Sequence, residues 1–398
     1  MPMSHMTFAQ KAMRLSPMYL VYFTLFGVFV PYIARFLTEN GLSAQEASVI
    51  VAIVNGVNMF APFLFSYLAD RSGQRMRFIR AGYLAIGFFY CLSLFGSGFW
   101  FYLTVFGLFG VFLSAVLPQM ETVTLHVLGK EKSRYGQVRL WGSVGFVVVV
   151  WIVGILLDYF SVNILPVMGV ILSLLMFAST FLIPEQSRSN SAAAETTVEG
   201  SGEPIRALPW GQISVLLVVV LFWQFSMAPY NTFFDLYLRE QGFSASTNGF
   251  LISFGALAEV AVFVAVAALF RRYSERFLIV AALALTVGRW LLLNAFADSF
   301  WLVLFTQSLH AATFGVVHSV AVHRIGRLFP ERRASFGQGL YVALGMGLGL
   351  LVGNLLAGVL WDGSGLVFLQ AAGWSLLALL IALFGFREPL EAAEADHS

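Results

Sequence analysis

Charge is scarce in this chain. Asp, Glu, Lys and Arg together make 11% of its 398 residues, under half of the roughly 25% usual in soluble domains. Hydrophobic residues make 59% and the mean hydropathy is +0.82, so the composition is that of an integral membrane protein. Cysteine is nearly absent. Cys91 is the single one, which excludes an intrachain disulfide, and its apolar surroundings suggest a small packing residue. The net charge is only +2 and neither an acidic nor a basic tail stands out, so nothing points to nucleic acid as a partner. A nucleophile–base pair, a metal-ligand cluster and a nucleotide-binding loop are all lacking, which argues against an enzyme. No small-residue cleavage site follows the first apolar run, itself a full span, which predicts an uncleaved first helix rather than a signal peptide.

Long apolar runs, by contrast, are abundant. Stretches of about 20 residues, enough to cross about 30 Å of hydrocarbon, recur twelve times: near 17–37, 46–68, 77–97, 100–126, 139–157, 163–183, 211–236, 247–270, 277–297, 300–322, 338–360 and 365–386. The polar segment 184–209, rich in Ser, Ala and Gly, cannot build a packed core and reads as a flexible cytoplasmic linker. These features predict an all-α integral membrane fold of twelve transmembrane helices in two six-helix halves, 1–183 and 210–398. With the N-terminus inside, all Lys and Arg except Arg35, Arg239 and Arg289 fall in or beside cytoplasmic segments, so both termini are expected there. An internal repeat agrees with the division. "FLTENGLSAQEAS" from Phe36 matches "YLREQGFSASTNG" from Tyr237, and "YGQVRLWGSVG" from Tyr135 matches "FGQGLYVALGM" from Phe336, both at an offset of 201. A parallel repeat with its axis along the membrane normal is a known transporter architecture, with the site at the repeat interface.

After the second span comes "SYLADRSGQRMR", Ser66–Arg77. It resembles the cytoplasmic loop signature of the major facilitator superfamily. Asp70, Arg71, Gly73 and Arg75 match it, while Ser66 stands for a usual glycine and Gln74 for a usual basic residue. The resemblance implies a cytoplasmic gate, in which Asp70 makes charge contacts that hold the inward side closed. "YGQVRLWGSVGF" is similar to the start of the fifth helix in the lactose permease and 3-phenylpropionate permease branches. That likeness places Arg139 on a substrate-binding arginine and Glu121, eighteen residues earlier, on the acid that pairs with it. Where the lactose permease branch stacks a tryptophan on the sugar ring, this chain has Phe146, which favours an organic acid over a sugar. "ISFGALAEVAVF", "RRYSER" and "LHAATFGVVH" look closer to the 3-phenylpropionate permease branch. Read without the resemblance, Arg139 and Glu121 lie toward the cytoplasmic ends of their spans, where an interfacial pair with its heads in water is the competing reading. The planar, bidentate reach of Arg139 toward a carboxylate or diol favours a binding role.

Depth can be counted directly from helix rise. Glu259 precedes Arg271 by 12 residues, or about 18 Å of helix. Arg289 follows Arg276 by 13 residues and His310 precedes Arg324 by 14, so both lie at about 20 Å. Three ionisable groups on the eighth, ninth and tenth spans therefore share one layer near the midplane. A static ion pair locking two helices is one reading. A proton pathway is the other, favoured because buried acids near a histidine are costly and mark function. The resemblance agrees, since the lactose permease coupling cluster spans the same three helices. Its acid on the tenth helix is replaced here by Thr313, which moves the proton-carrying role to Glu259. His318, eight residues past His310, either shares that face or packs, and His323 is expected at the interface.

Gln224 and Asn231 are seven apart and share one face of the seventh span, which lines the cavity in this superfamily. Interhelical hydrogen bonding is the plainer alternative. Phe29, Tyr230 and Phe146 are the candidate aromatic walls of a pocket. Arg35 ends the first span and Asp235 the seventh, and the 201 offset maps Asp235 onto Ala34, which suggests an outer gate. The expected protein is a proton-coupled symporter of the inner membrane, without cofactor or metal and working as a monomer. Its expected partners are protons, the lipid bilayer and a small organic solute, with an aromatic or other organic acid first. A sugar or nucleoside symporter and a drug-type antiporter are the alternatives.

Overall fold

A computed structural model gives the structure, and it describes residues 6–183, 208–330 and 333–386. The expected linker 184–209 lies outside these residues but for Leu208 and Pro209, as do Arg188, Arg206, Arg332 and Arg387 of the orientation argument. The described regular structure is helical throughout: α1 (Phe8–Phe29), α2 (Ile33–Glu39), α3 (Ala44–Gly56), α4 (Ala61–Ser72), α5 (Arg75–Leu92), α6 (Phe99–Leu128), α7 (Tyr135–Tyr159) and α8 (Ile164–Ser179) come first. Then follow α9 (Trp210–Glu240), α10 (Ala245–Arg272), α11 (Glu275–Ala295), α12 (Phe300–His310), α13 (Val317–Leu328), α14 (Ala334–Tyr341), α15 (Leu350–Leu360) and α16 (Leu366–Gly385). Two π segments, Ala311–Val316 and Val342–Gly349, join α12 to α13 and α14 to α15.

Helix ends follow local chemistry. Ser43 and Glu46 form a capping box at the start of α3, and the Ser274 hydroxyl accepts from Phe277 N at the start of α11. Gly73, at φ +63°, closes α4 in the left-handed region that a side chain disfavours. The outer faces are apolar. Val264, Trp100 and Phe384 are 81%, 77% and 83% exposed, an arrangement suited to lipid rather than water. Cys91 is exposed as well, so it is not the packing residue its sequence surroundings suggested.

Among the described residues, nine helical runs are long and apolar enough to cross a membrane, or ten if the bent pair α3–α4 forms one span. This falls below the twelve expected for two physical reasons. The 3-10 segment Gly129–Arg134 joins α6 and α7 into one helical run of 61 residues. In α5, Arg75, Arg77 and Arg80 all fall near the start of an 18-residue helix, so it is not apolar throughout.

The chain divides into two compact units, and the boundary falls within α10. The first comprises Met1–Gly202 and Ser244–Ser253. Its core is aromatic, with Phe29 enclosed by Phe109, Phe106 and Tyr90 at centroid distances of 4.5, 5.6 and 6.0 Å. In this unit α1 runs close against α7 because α7 is glycine-rich at the crossing: a Cβ on Gly145 would lie 2.5 Å from the Leu20 carbonyl oxygen. Asp158, near the end of α7, accepts from Ala245 N and Ser246 N at 2.8 and 3.1 Å and so caps α10.

The second unit comprises Glu203–Phe243 and Phe254–Ser398. Its centre is α9, from which Trp223 is fully buried. Phe222 stacks on Trp374 of α16 at 5.7 Å, and the Thr232 hydroxyl donates to Asn354 Oδ1 of α15 at 2.6 Å.

Candidate functional site

The second unit brings the three mid-depth groups together. Glu259 comes from α10, Arg289 from α11, and His310 is the last residue of α12, where the helix passes into the π segment. Arg289 Nη1 lies 2.9 Å from His310 Nδ1 and donates to Thr313 Oγ1 at 3.3 Å. A guanidinium can only donate, so Nδ1 must offer its lone pair and the neutral imidazole carries its proton on Nε2. Nε2 faces Glu259, 3.6 Å from Oε2. The order along the chain of contacts is therefore Arg289, His310, Glu259, with the histidine between the two charges.

Aromatic rings frame this chain. The Arg289 guanidinium carbon lies 4.5 Å from the centroid of Tyr230 and 4.3 Å from that of Trp290, both within cation–π range. Tyr230, one residue past the in-helix Pro229 of α9, stands 5.0 Å from the His310 ring and donates its hydroxyl to Gln307 Oε1 at 2.8 Å. Gly255 of α10 permits this hydrogen bond to sit against the helix, since a Cβ there would come within 2.9 Å of Gln307 Oε1. Arg289 is 0% exposed, whereas Glu259, His310 and Tyr230 are partly exposed. The π segment takes part as well. A π turn displaces backbone hydrogen bonds and recurs at functional sites; here Trp223 Nε1 donates to the Thr313 carbonyl at 3.1 Å.

The first unit corrects two expectations. Glu121 and Arg139 form no ion pair. The Tyr135 hydroxyl, one turn before Arg139 on α7, donates to Glu121 Oε1 at 2.9 Å, and the Arg139 guanidinium lies on the face of Phe23 at 3.8 Å. Phe29, expected as a pocket wall, is enclosed in the aromatic core at 5% exposure. Phe146 is partly exposed and lies 6.3 Å from Phe26, which in turn neighbours Phe23 at 6.1 Å, so Arg139 and Phe146 bracket one aromatic row.

Of the polar pair on α9, Gln224 is 1% exposed and donates Nε2 to Met346 Sδ in the second π segment, while Asn231 is partly exposed. His318 is held by Tyr341, with 2.6 Å between Nδ1 and the hydroxyl, and stacks on Phe314, as a packed histidine does. Arg35 on α2 is buried beside Glu39, with Nε 2.9 Å from Oε1, and Asp235 on α9 is buried as well.

The chain matches the family model described as the MFS_1 like family over residues 12–371. It belongs to that family of major facilitator transporters. It is 30% identical over 363 residues to a probable 3-phenylpropionic acid transporter of Escherichia coli (strain K12), covering 89% of this chain and 92% of that protein. A maltose permease of Geobacillus stearothermophilus is 26% identical over 94% of this chain and 95% of its own length. Among solved structures, the nucleoside transporter NupG has a TM-score of 0.82 at 14% identity, covering 95% of this chain and all of that one. The POT family transporter PepTSo has a TM-score of 0.74 at 12% identity, covering 99% of this chain and all of that one. These structural likenesses concern the fold. The protein is a multi-pass membrane transporter and not an enzyme.

In this major facilitator chain the loop signature Ser66–Arg77 is held by contacts within its own unit. Asp70 pairs with Arg75, Arg75 Nη1 donates to Gln119 Oε1 at 2.7 Å, and Gln119 Nε2 donates to Ser66 Oγ at 2.8 Å. Ser66, standing for the usual glycine, thus has a polar partner of its own, while Arg71 is exposed. Sequence reasoning missed three features. Gln307 precedes His310 by three residues on the same helical face, a spacing that could have flagged it. Trp290, beside Arg289, carried no signal. Glu275 is 5% exposed and binds His323 Nδ1, Arg324 Nη1 and Arg327 Nη1 at 2.7, 2.8 and 3.1 Å; the i, i+1, i+4 run of His and Arg on one helix was its only trace.

Proposed function

We propose that this transporter is a proton-coupled symporter importing a small organic solute, an aromatic or other organic acid, by alternating access. Its twelve spans in two six-span halves would lie in the inner membrane, with both termini cytoplasmic and the chain working as a monomer. The observation that carries the reading is the Arg289–His310–Glu259 chain. An acid, a neutral histidine with its proton toward that acid, and a buried cation form a proton-binding group whose charge depends on occupancy. The relative named for 3-phenylpropionic acid supports an aromatic acid as the solute class. Arg139, with Glu121 and Phe146 nearby, is a second candidate contact for the solute, and Gln224 and Asn231 remain candidates on α9.

The test is Glu259→Gln in proteoliposomes. Uphill accumulation driven by a proton gradient should be lost, while exchange of solute down its own gradient persists. Uphill transport at the wild-type level would remove Glu259 from coupling. A neutral sugar or nucleoside is the second reading, favoured by the maltose permease relative, and predicts transport insensitive to replacing a carboxylate by an amide.

A further inference from the structure

The guanidinium of Arg289 is used unevenly. Nη1 serves His310 and Thr313, and the planar faces lie against Tyr230 and Trp290. Nε and Nη2 make no hydrogen bond, although the residue is 0% exposed. In an arginine these two N–H groups point the same way and form the side-on edge, whose spacing matches the two oxygens of a carboxylate. Bare buried donors of this kind are costly, which calls for an acceptor that comes and goes. A second orphaned donor lies in the same cluster. Gln307 accepts from Tyr230 through Oε1, which leaves Nε2 without a partner.

The charges around the edge decide when an anion is welcome. Titratable groups facing Arg289 are Tyr230 from α9, Glu259 from α10 across His310, and His310 from α12. On α13, His318 is turned to Tyr341 of α14, and α15 and α16 carry no titratable side chain. Glu259 is the one acid of this set. Ionised, it balances Arg289, and an incoming carboxylate would make the cluster net negative. Protonated, it leaves the Arg289 charge to be met by something else.

We propose that the side-on edge of Arg289, assisted by Gln307, is where a carboxylate ligand docks, and that protonation of Glu259 is what admits it. The assignment of Glu259 as proton carrier rests on the proposed coupling; the docking edge does not. Because Arg289 is enclosed and Tyr230, His310 and Glu259 are partly exposed, the ligand reaches the edge by displacing these outer groups. Proton and carboxylate then bind one to one, as a neutral pair.

Equilibrium titration calorimetry on the purified full-length protein, with no gradient present, tests this with 3-phenylpropionate and benzoate and with their amides. Affinity for the carboxylates should rise as pH falls, approaching tenfold per pH unit while Glu259 is ionised, and binding should take up about one proton. The amides should bind at least about tenfold more weakly and without pH dependence. Arg289→Lys keeps the buried cation but loses the fork, and should cost the carboxylates at least about tenfold. Glu259→Gln should bind them tightly with no pH dependence and no proton uptake. Wild-type carboxylate affinity in Arg289→Lys, equal binding of amides, or no saturable binding of either carboxylate overturns the docking site. Retained proton uptake in Glu259→Gln overturns the role of Glu259. If the binding results hold and Glu259→Gln still accumulates solute uphill, the docking edge stands and the proposed coupling falls.

Discussion

Removing the Arg289 side chain should destabilise the second unit, and removing Glu259 with it should restore part of the loss. Arg289→Ala deletes two contacts from a charged donor, to His310 and Thr313, and two ring contacts, to Tyr230 and Trp290. It also removes the cation that lies across His310 from Glu259. Breaking a buried charge pair by deleting one partner costs about 3–5 kcal/mol. Neutralising both members removes the stranded charge, so Glu259→Gln in the Arg289→Ala background should recover about 1–2 kcal/mol. At about 2–4 °C per kcal/mol for a unit of this size, the double variant should melt several degrees above the single one. Size-exclusion profiles of detergent-purified protein after heating give the apparent Tm of both variants and of Glu259→Gln alone. A double variant melting no higher than Arg289→Ala would mean the two charges are not linked. The histidine between them would then be no bridge, and the reasoning from this cluster would fail.

Three further outcomes follow from packing and polar contacts. Gly145→Val places atoms against the Leu20 backbone carbonyl, which cannot yield as a side chain would; a loss of about 1–3 kcal/mol is expected. Gly136→Ala, with nothing within 4 Å of its new Cβ, should lower the apparent Tm not at all, and equal losses in both would count against the α1–α7 crossing. Glu275→Gln strips the anion from Arg324, itself 2% exposed, and should cost about 3–5 kcal/mol; an unchanged melting profile would show the cluster to be idle. Gln119→Leu removes the bridge between Ser66 and Arg75 and should cost about 1–3 kcal/mol. It should also speed maleimide labelling of a cysteine placed at Ser72, and unchanged labelling would separate Gln119 from the order of that loop.

Composition and run length by themselves determined that this is a helical membrane protein, because hydrocarbon offers no partner for an open backbone and only satisfied helices or closed barrels cross it. Helix rise determined depth in the same way. Counting residues from the flanking arginines put Glu259, Arg289 and His310 in one layer, and they do meet. Rotation and neighbours were a different matter, since about 100° per residue turns a small error in phase into a different face. Only the packed helices decided that His310 stands between Glu259 and Arg289, and that a π turn begins beside it. Only they decided that Tyr135 takes the Glu121 carboxylate while Arg139 lies on Phe23. Glu275 and its three partners stand 48 or more residues apart in the chain, and no periodicity within one helix could join them; the packing of α11 against α13 did. Local spacing carries what one helix dictates, and partner choice between helices is settled where their side chains compete for the same atoms.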